Sequence, residues 1–147
     1  MLDKCMKACS NCSFCKWAAP RAHWLLRLSV AAVFLYHGFP KLQDLAAFAE
    51  MGGLPIWVAA LVALAEVGGG LGLIAGAAFK KDWLTRLSGL AITPVMLGAI
   101  FMVHWGQWSF MATETHPMGG IEFQVVLLSV ALYFFFTGNS NCGSKKK

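Results

Sequence analysis

Glu66 is the only ionisable side chain in an apolar run from Ile56 to Phe79, and that run constrains the fold more than any other stretch of the chain. At about 1.5 Å of rise per residue it makes a helix roughly 36 Å long, enough to cross a hydrocarbon core about 30 Å thick. Glu66 then lies about 15 Å from the Ile56 end. A carboxylate at that depth costs at least a few kcal/mol, so it faces a bundle interior and meets a partner or performs a function.

Three further stretches have the same character. Pro20 to Phe39 reads as a first span that closes at Pro40, Leu84 to His104 as a third carrying Pro94, and Gly119 to Thr137 as a fourth. Between the first and second, Lys41 to Met51 is too short to span. Its Leu42, Leu45, Ala46, Phe48 and Ala49 fall at helical spacing opposite Asp44 and Glu50, which predicts a helix lying in the interface. The expected fold is all-α: an integral membrane four-helix bundle with a short interfacial helix after the first span. A composition 58% hydrophobic and 13% charged agrees, and so does a mean hydropathy of +0.62. The chain divides into a cysteine-rich head (1–19), a membrane domain (20–138) and a basic tail (139–147). The head lacks the apolar segment of a secretory signal.

Charge sets the orientation. Lys4, Lys7, Lys16 and Arg21 precede the first span, Lys80 and Lys81 lie in the second connection with Arg86 just beyond, and Lys145, Lys146 and Lys147 close the tail. The first connection has only Lys41, and the third has neither Lys nor Arg. Both termini are therefore expected on the cytoplasmic side of the cell's inner membrane. The net charge of +5 reads as topology and lipid contact, and nucleic acid is not an expected partner. Tryptophans 17, 24, 57, 83, 105 and 108 all fall near span ends, as an aromatic belt requires.

In that orientation one outward-facing pocket can gather His37, Lys41, His104 and Glu122, with Glu66 beneath it. Glu66 is either half of a buried structural pair, with Lys41 or a histidine, or a ligand- or proton-handling group. Arg27 and Arg86 are expected to have a lipid or structural role, foremost snorkelling to headgroups and fixing helix depth. Cys5, Cys9, Cys12 and Cys15 stand in a C-x3-C-x2-C-x2-C pattern ahead of the first span. Four close thiols match the ligand count of zinc or an iron–sulfur cluster, and a cytoplasmic setting disfavours stable disulfides. Reversible thiol chemistry and a metal-free contact segment are the competing readings, and Cys142 stands alone in the tail.

The core from Arg27 to Gly138 resembles the DoxX family of small four-helix membrane proteins. The residues that carry the resemblance are Arg27, Phe34, Gly38 and Lys41, then Gly53-Leu54-Pro55, then Ala65-Glu66-Val67-Gly68-Gly69-Gly70, then Arg86, His104, Gly106, Gly120, Glu122 and Phe123. The cysteine-rich head lies outside the family pattern, and the tail lacks its Gly-rich ending. The resemblance implies membrane redox association, since some relatives are subunits of a thiosulfate:quinone oxidoreductase and others are linked to thiol and oxidative-stress handling. Two functions follow as expectations. The first is an accessory subunit of a respiratory or photosynthetic redox complex, in contact with lipids and other membrane subunits or with copies of itself. The alternative is a quinone-linked oxidoreductase subunit acting on a small sulfur or thiol species, with Lys41 supplying charge and His37, His104 and Glu66 exchanging protons. Four spans without inverted repeats make a solute carrier the remotest reading.

Overall fold

The computed structural model describes residues 12–140; Cys5, Cys9, Cys142 and the terminal lysines lie outside them. All regular structure among the described residues is helical. Helix α1 (Ser13–Ala18) passes through a 3₁₀ turn at Ala19–Arg21 into α2 (His23–Gln43). There follow α3 (Leu45–Gly52), α4 (Ile56–Ala78), α5 (Asp82–Gly98, continued as a π-helix at Ala99–Val103) and α6 (Glu122–Thr137). The four long helices pack in chain order, α2 on α4, α4 on α5 and α5 on α6, with a sparser contact between α2 and α6. All four contribute to one core: Val30 and Phe34, Leu73, Ile92, Val95 and Met96, then Leu127, Ala131 and Phe134.

Two of the four, α4 and α5 with its π-helical end, are long and apolar enough to cross a membrane; α6 is apolar but shorter. The outer faces are built for a non-aqueous surround. Leu61, Leu64 and Leu71 on α4 and Leu87, Leu90 and Leu97 on α5 are all exposed, where a protein in water would place polar groups. Close helix approach comes from missing side chains. A Cβ on Gly89 would fall 2.5 Å from the Ala131 carbonyl oxygen and 2.7 Å from the Phe135 nitrogen, so only glycine lets α5 lie directly on the α6 backbone.

The second span has the expected limits to within a residue, and the others differ in instructive ways. The first helix does not stop at Pro40 but runs on to Gln43. Proline forfeits one N–H and crowds the carbonyl four residues back, which ends most helices. Here Asp44 N–H donates to the Pro40 carbonyl (3.1 Å) and completes a further turn. The interfacial segment is helical only from Leu45. Asp44 caps it by accepting from Ala47 N–H (2.9 Å), and Gly53 closes it in the left-handed region at φ 60°. The last helix begins at Glu122 rather than Gly119, because residues 119–121 are held in a folded loop.

Candidate functional site

Because α2 continues through Pro40, Lys41 stays on the helical face one turn beyond Gly38. Gly38 is where α2 touches α4: a Cβ there would lie 2.8 Å from Val67 Cγ2 and 3.0 Å from Glu66 Cβ. The lysine thus reaches Glu66, with Nζ 2.5 Å from Oε1. Glu66 is 3% exposed, and the Lys41 side chain is 23% exposed. The ring of Phe48, from α3, lies 4.8 Å from the ammonium and closes over it. The second carboxylate oxygen, Oε2, is buried and meets no hydrogen-bond donor among the described residues. A buried acceptor left in that state is costly, and it has room to accept a hydrogen bond from a hydroxyl or thiol donor.

The remaining members of the expected pocket are elsewhere. His37 is exposed and stands edge-on to Tyr36, with ring centroids 5.4 Å apart. His104 Nδ1 lies 3.0 Å from the Gly119 carbonyl, and Glu122 Oε2 accepts from Phe110 N–H at 3.2 Å, so both tether the loop between α5 and α6. The structure brings together Lys41 and Glu66 and leaves His37, His104 and Glu122 outside that pair.

At the opposite end of the bundle the polar interior is organised around Arg27, which is fully buried. Headgroup contact, the expectation from sequence, is therefore not its role. Nε donates to His23 Nδ1 (3.1 Å). One terminal nitrogen donates to the Leu73 carbonyl (2.7 Å) and Thr85 Oγ1 (3.0 Å), the other to the Gly138 carbonyl (3.3 Å) and Asn139 Oδ1 (2.8 Å). The guanidinium also lies 4.5 Å from the centre of the Phe134 ring. Asn139 Nδ2 donates to the Gly76 carbonyl, and Asn139 N–H donates to Asp82. Arg86 pairs with Asp82 (2.6 Å) and donates to the carbonyls of Phe135, Phe136 and Thr137, capping α6. Sequence reasoning missed Thr85 and Asn139. The available signal was an arginine within an apolar stretch, which needs partners from every neighbouring helix, and a polar residue just after the Gly138 stop.

In the head, Cys12 stands immediately before α1 and Cys15 follows one turn later. Backbone N–H groups of Cys15 and Phe14 aimed at the Cys12 sulfur hold its thiol pKa below the ordinary value, since they stabilise the thiolate. No group of three or more His, Cys, Asp or Glu able to hold a metal occurs among the described residues, and Cys5 and Cys9 lie outside them.

Among the described residues, an all-helical fold with membrane-length apolar helices, an apolar exterior and a Lys41–Glu66 ion pair turned inward defines a class of small membrane protein. Within that class the chain belongs to the DoxX family, whose model matches residues 22–105. That match covers α2 to the end of α5 and so includes Arg27, Lys41 and Glu66. Searches among curated proteins and solved structures returned no match.

Proposed function

We propose that this chain is an integral protein of the cell's inner membrane, crossing it four times with both termini cytoplasmic, and that it serves as an accessory subunit of a redox complex. Family membership supports the membrane setting. The charge distribution supports the orientation, with lysines and arginines gathered at the α2 start, the α4–α5 connection and the tail. The observation that carries the functional reading is the half-satisfied Glu66, with one oxygen fixed by Lys41 and the other open to a donor. Such a group can accept a hydrogen bond from the O–H or S–H of a small molecule beside a fixed cation.

The same oxygen favours a second reading, a quinone-linked oxidoreductase subunit acting on a small sulfur or thiol species. A bound quinone would supply the acceptor of electrons and protons; Glu66 would accept a hydrogen bond from its reduced hydroxyl, and Lys41 would fix the carboxylate. In the head, the thiols of Cys12 and Cys15 suit two ligands of a zinc or iron–sulfur site completed by Cys5 and Cys9. Purification in mild detergent separates the readings. Co-migration with a large assembly supports the accessory role. A homogeneous small oligomer that reduces quinone, and loses that activity in Glu66→Gln, supports the second reading. Equal activity in both proteins would remove Glu66 from the mechanism.

A further inference from the structure

The connection from α5 to α6 is the least expected part of the exterior. It contains neither lysine nor arginine, and Trp105, Trp108, Phe110, Met111 and Met118 are each exposed by 60% or more. A loop facing water would carry polar side chains and give its backbone groups to solvent. This loop returns part of them to itself. Gly120 N–H donates to the Ser109 carbonyl (2.8 Å), Ile121 N–H to Gln107 (3.0 Å) and Glu122 N–H to Trp108 (2.9 Å). Gln107 Nε2 donates to the carbonyls of Ser109 and Met111. His116 Nε2 lies 3.2 Å from the Trp105 carbonyl. Gly119 and Gly120 permit the fold, since a Cβ on either would strike the carbonyl of Phe110 or Gln107. Backbone that is partly self-paired beneath apolar side chains fits the boundary of a low-dielectric surround, where water still reaches the remaining groups.

Helix length supplies the second, independent argument. From Glu122 to Thr137, α6 is about 24 Å long against about 34 Å for α4, and a hydrocarbon core is about 30 Å thick. The inner end of α6 is fixed level with the start of α5, because Asn139 N–H donates to Asp82 (2.6 Å) and Arg86 caps the last carbonyls of α6. The shortfall of about 6 Å therefore falls wholly on the outer side. Residues 105–121 occupy that side.

We infer that residues 105–121 form an outer cap seated within the outer leaflet, binding lipid at the boundary between acyl chains and headgroups. Its apolar flanks contact lipid, and the polar stretch Thr113-Glu114-Thr115-His116 meets water. Glu122 lies below the bilayer surface and turns its carboxylate onto the Phe110 N–H. The inference rests on the proposal that α6 spans the membrane.

Tryptophan quenching of the full chain in phosphatidylcholine vesicles tests it. The emission difference between the natural protein and a Trp105→Phe/Trp108→Phe double variant isolates the cap, and both substitutions preserve apolar bulk. Most of that difference emission should be lost with lipids brominated near the glycerol end of their chains, and little of it to aqueous iodide. Loss to iodide with no response to brominated lipid would overturn the inference by placing the loop in water. Resistance to both quenchers would also overturn it, by placing the loop under protein. A Leu71→Trp variant on the exposed face of α4 reads the spanning proposal separately through quenching by lipids brominated near the chain terminus. If Leu71→Trp responds and the cap does not, only the cap is wrong; if Leu71→Trp fails as well, the spanning proposal itself falls.

Discussion

Replacing Arg27 by methionine keeps an unbranched side chain in place and removes the fork that gathers the end of the bundle where α6 stops. Five hydrogen bonds go with it, to His23, Leu73, Thr85, Gly138 and Asn139. Bonds from a charged donor contribute about 1.5–3 kcal/mol each, so the gross loss is on the order of 10 kcal/mol. Against this stands the cost of burying a guanidinium, itself several kcal/mol, which methionine does not incur. The acceptors on Thr85 and Asn139 are left inside, and the contact with Phe134 weakens. The net is a destabilisation of about 3–5 kcal/mol. For a chain of this size that lowers the melting temperature by more than about 10 °C, measurable by thermal unfolding in mild detergent. Arg27→Lys should recover little, because one ammonium cannot reach acceptors on opposite sides of a planar fork. A methionine variant melting within about 2 °C of the natural protein would refute the structural role. A lysine variant of full stability would show that charge rather than shape is what matters.

Other outcomes follow from particular contacts. Gly89→Ala should destabilise markedly because its Cβ meets backbone atoms of α6, whereas Gly68→Ala, with nothing within 4 Å, should leave the melting temperature unchanged. Lys41→Ala leaves Glu66 buried with neither oxygen paired and should cost about 3–5 kcal/mol; Glu66→Gln keeps an acceptor for the lysine and should cost less, so the reverse order would contradict the assigned pairing. Cys12 in metal-free protein should be alkylated rapidly at a pH where an ordinary cysteine is slow, since its lowered pKa keeps the thiolate populated as pH falls; the rate profile read by mass spectrometry checks this. Anaerobically purified protein should carry zinc or iron at a stoichiometric level if the four cysteines of the head form a metal site, and elemental analysis decides it.

What the sequence disclosed and what it hid divide along a physical line. Ile56–Ala78 was legible because an uninterrupted apolar run bounded by Pro55 and Lys80 admits few other readings. The contact between Glu66 and Lys41 was within reach, but it turned on whether the helix survives Pro40. The helix does continue, closed by Asp44 N–H on the Pro40 carbonyl, and composition does not reveal that. Arg27 was misread because a lone arginine near a span end looks the same whether it turns outward to lipid or inward to carbonyls. The choice depends on acceptors supplied from residue 73 and residues 138 and 139. His37, His104 and Glu122 were grouped by depth alone. Depth is fixed by counting residues, whereas azimuth around the helix axis depends on packing that periodicity resolves poorly where an entire helix is apolar.

The Arg27 clasp also orders events in the life of the chain. Asn139 leaves the ribosome 112 residues after Arg27, and the acceptors on α4 and α5 emerge between the two. Until Gly138 and Asn139 are made, the guanidinium lacks two of its five acceptors. The full set of five partners for Arg27 exists only when every long helix is present and in register. A chain cut short of Gly138 lacks both of those acceptors and leaves a cation incompletely paired between apolar helices.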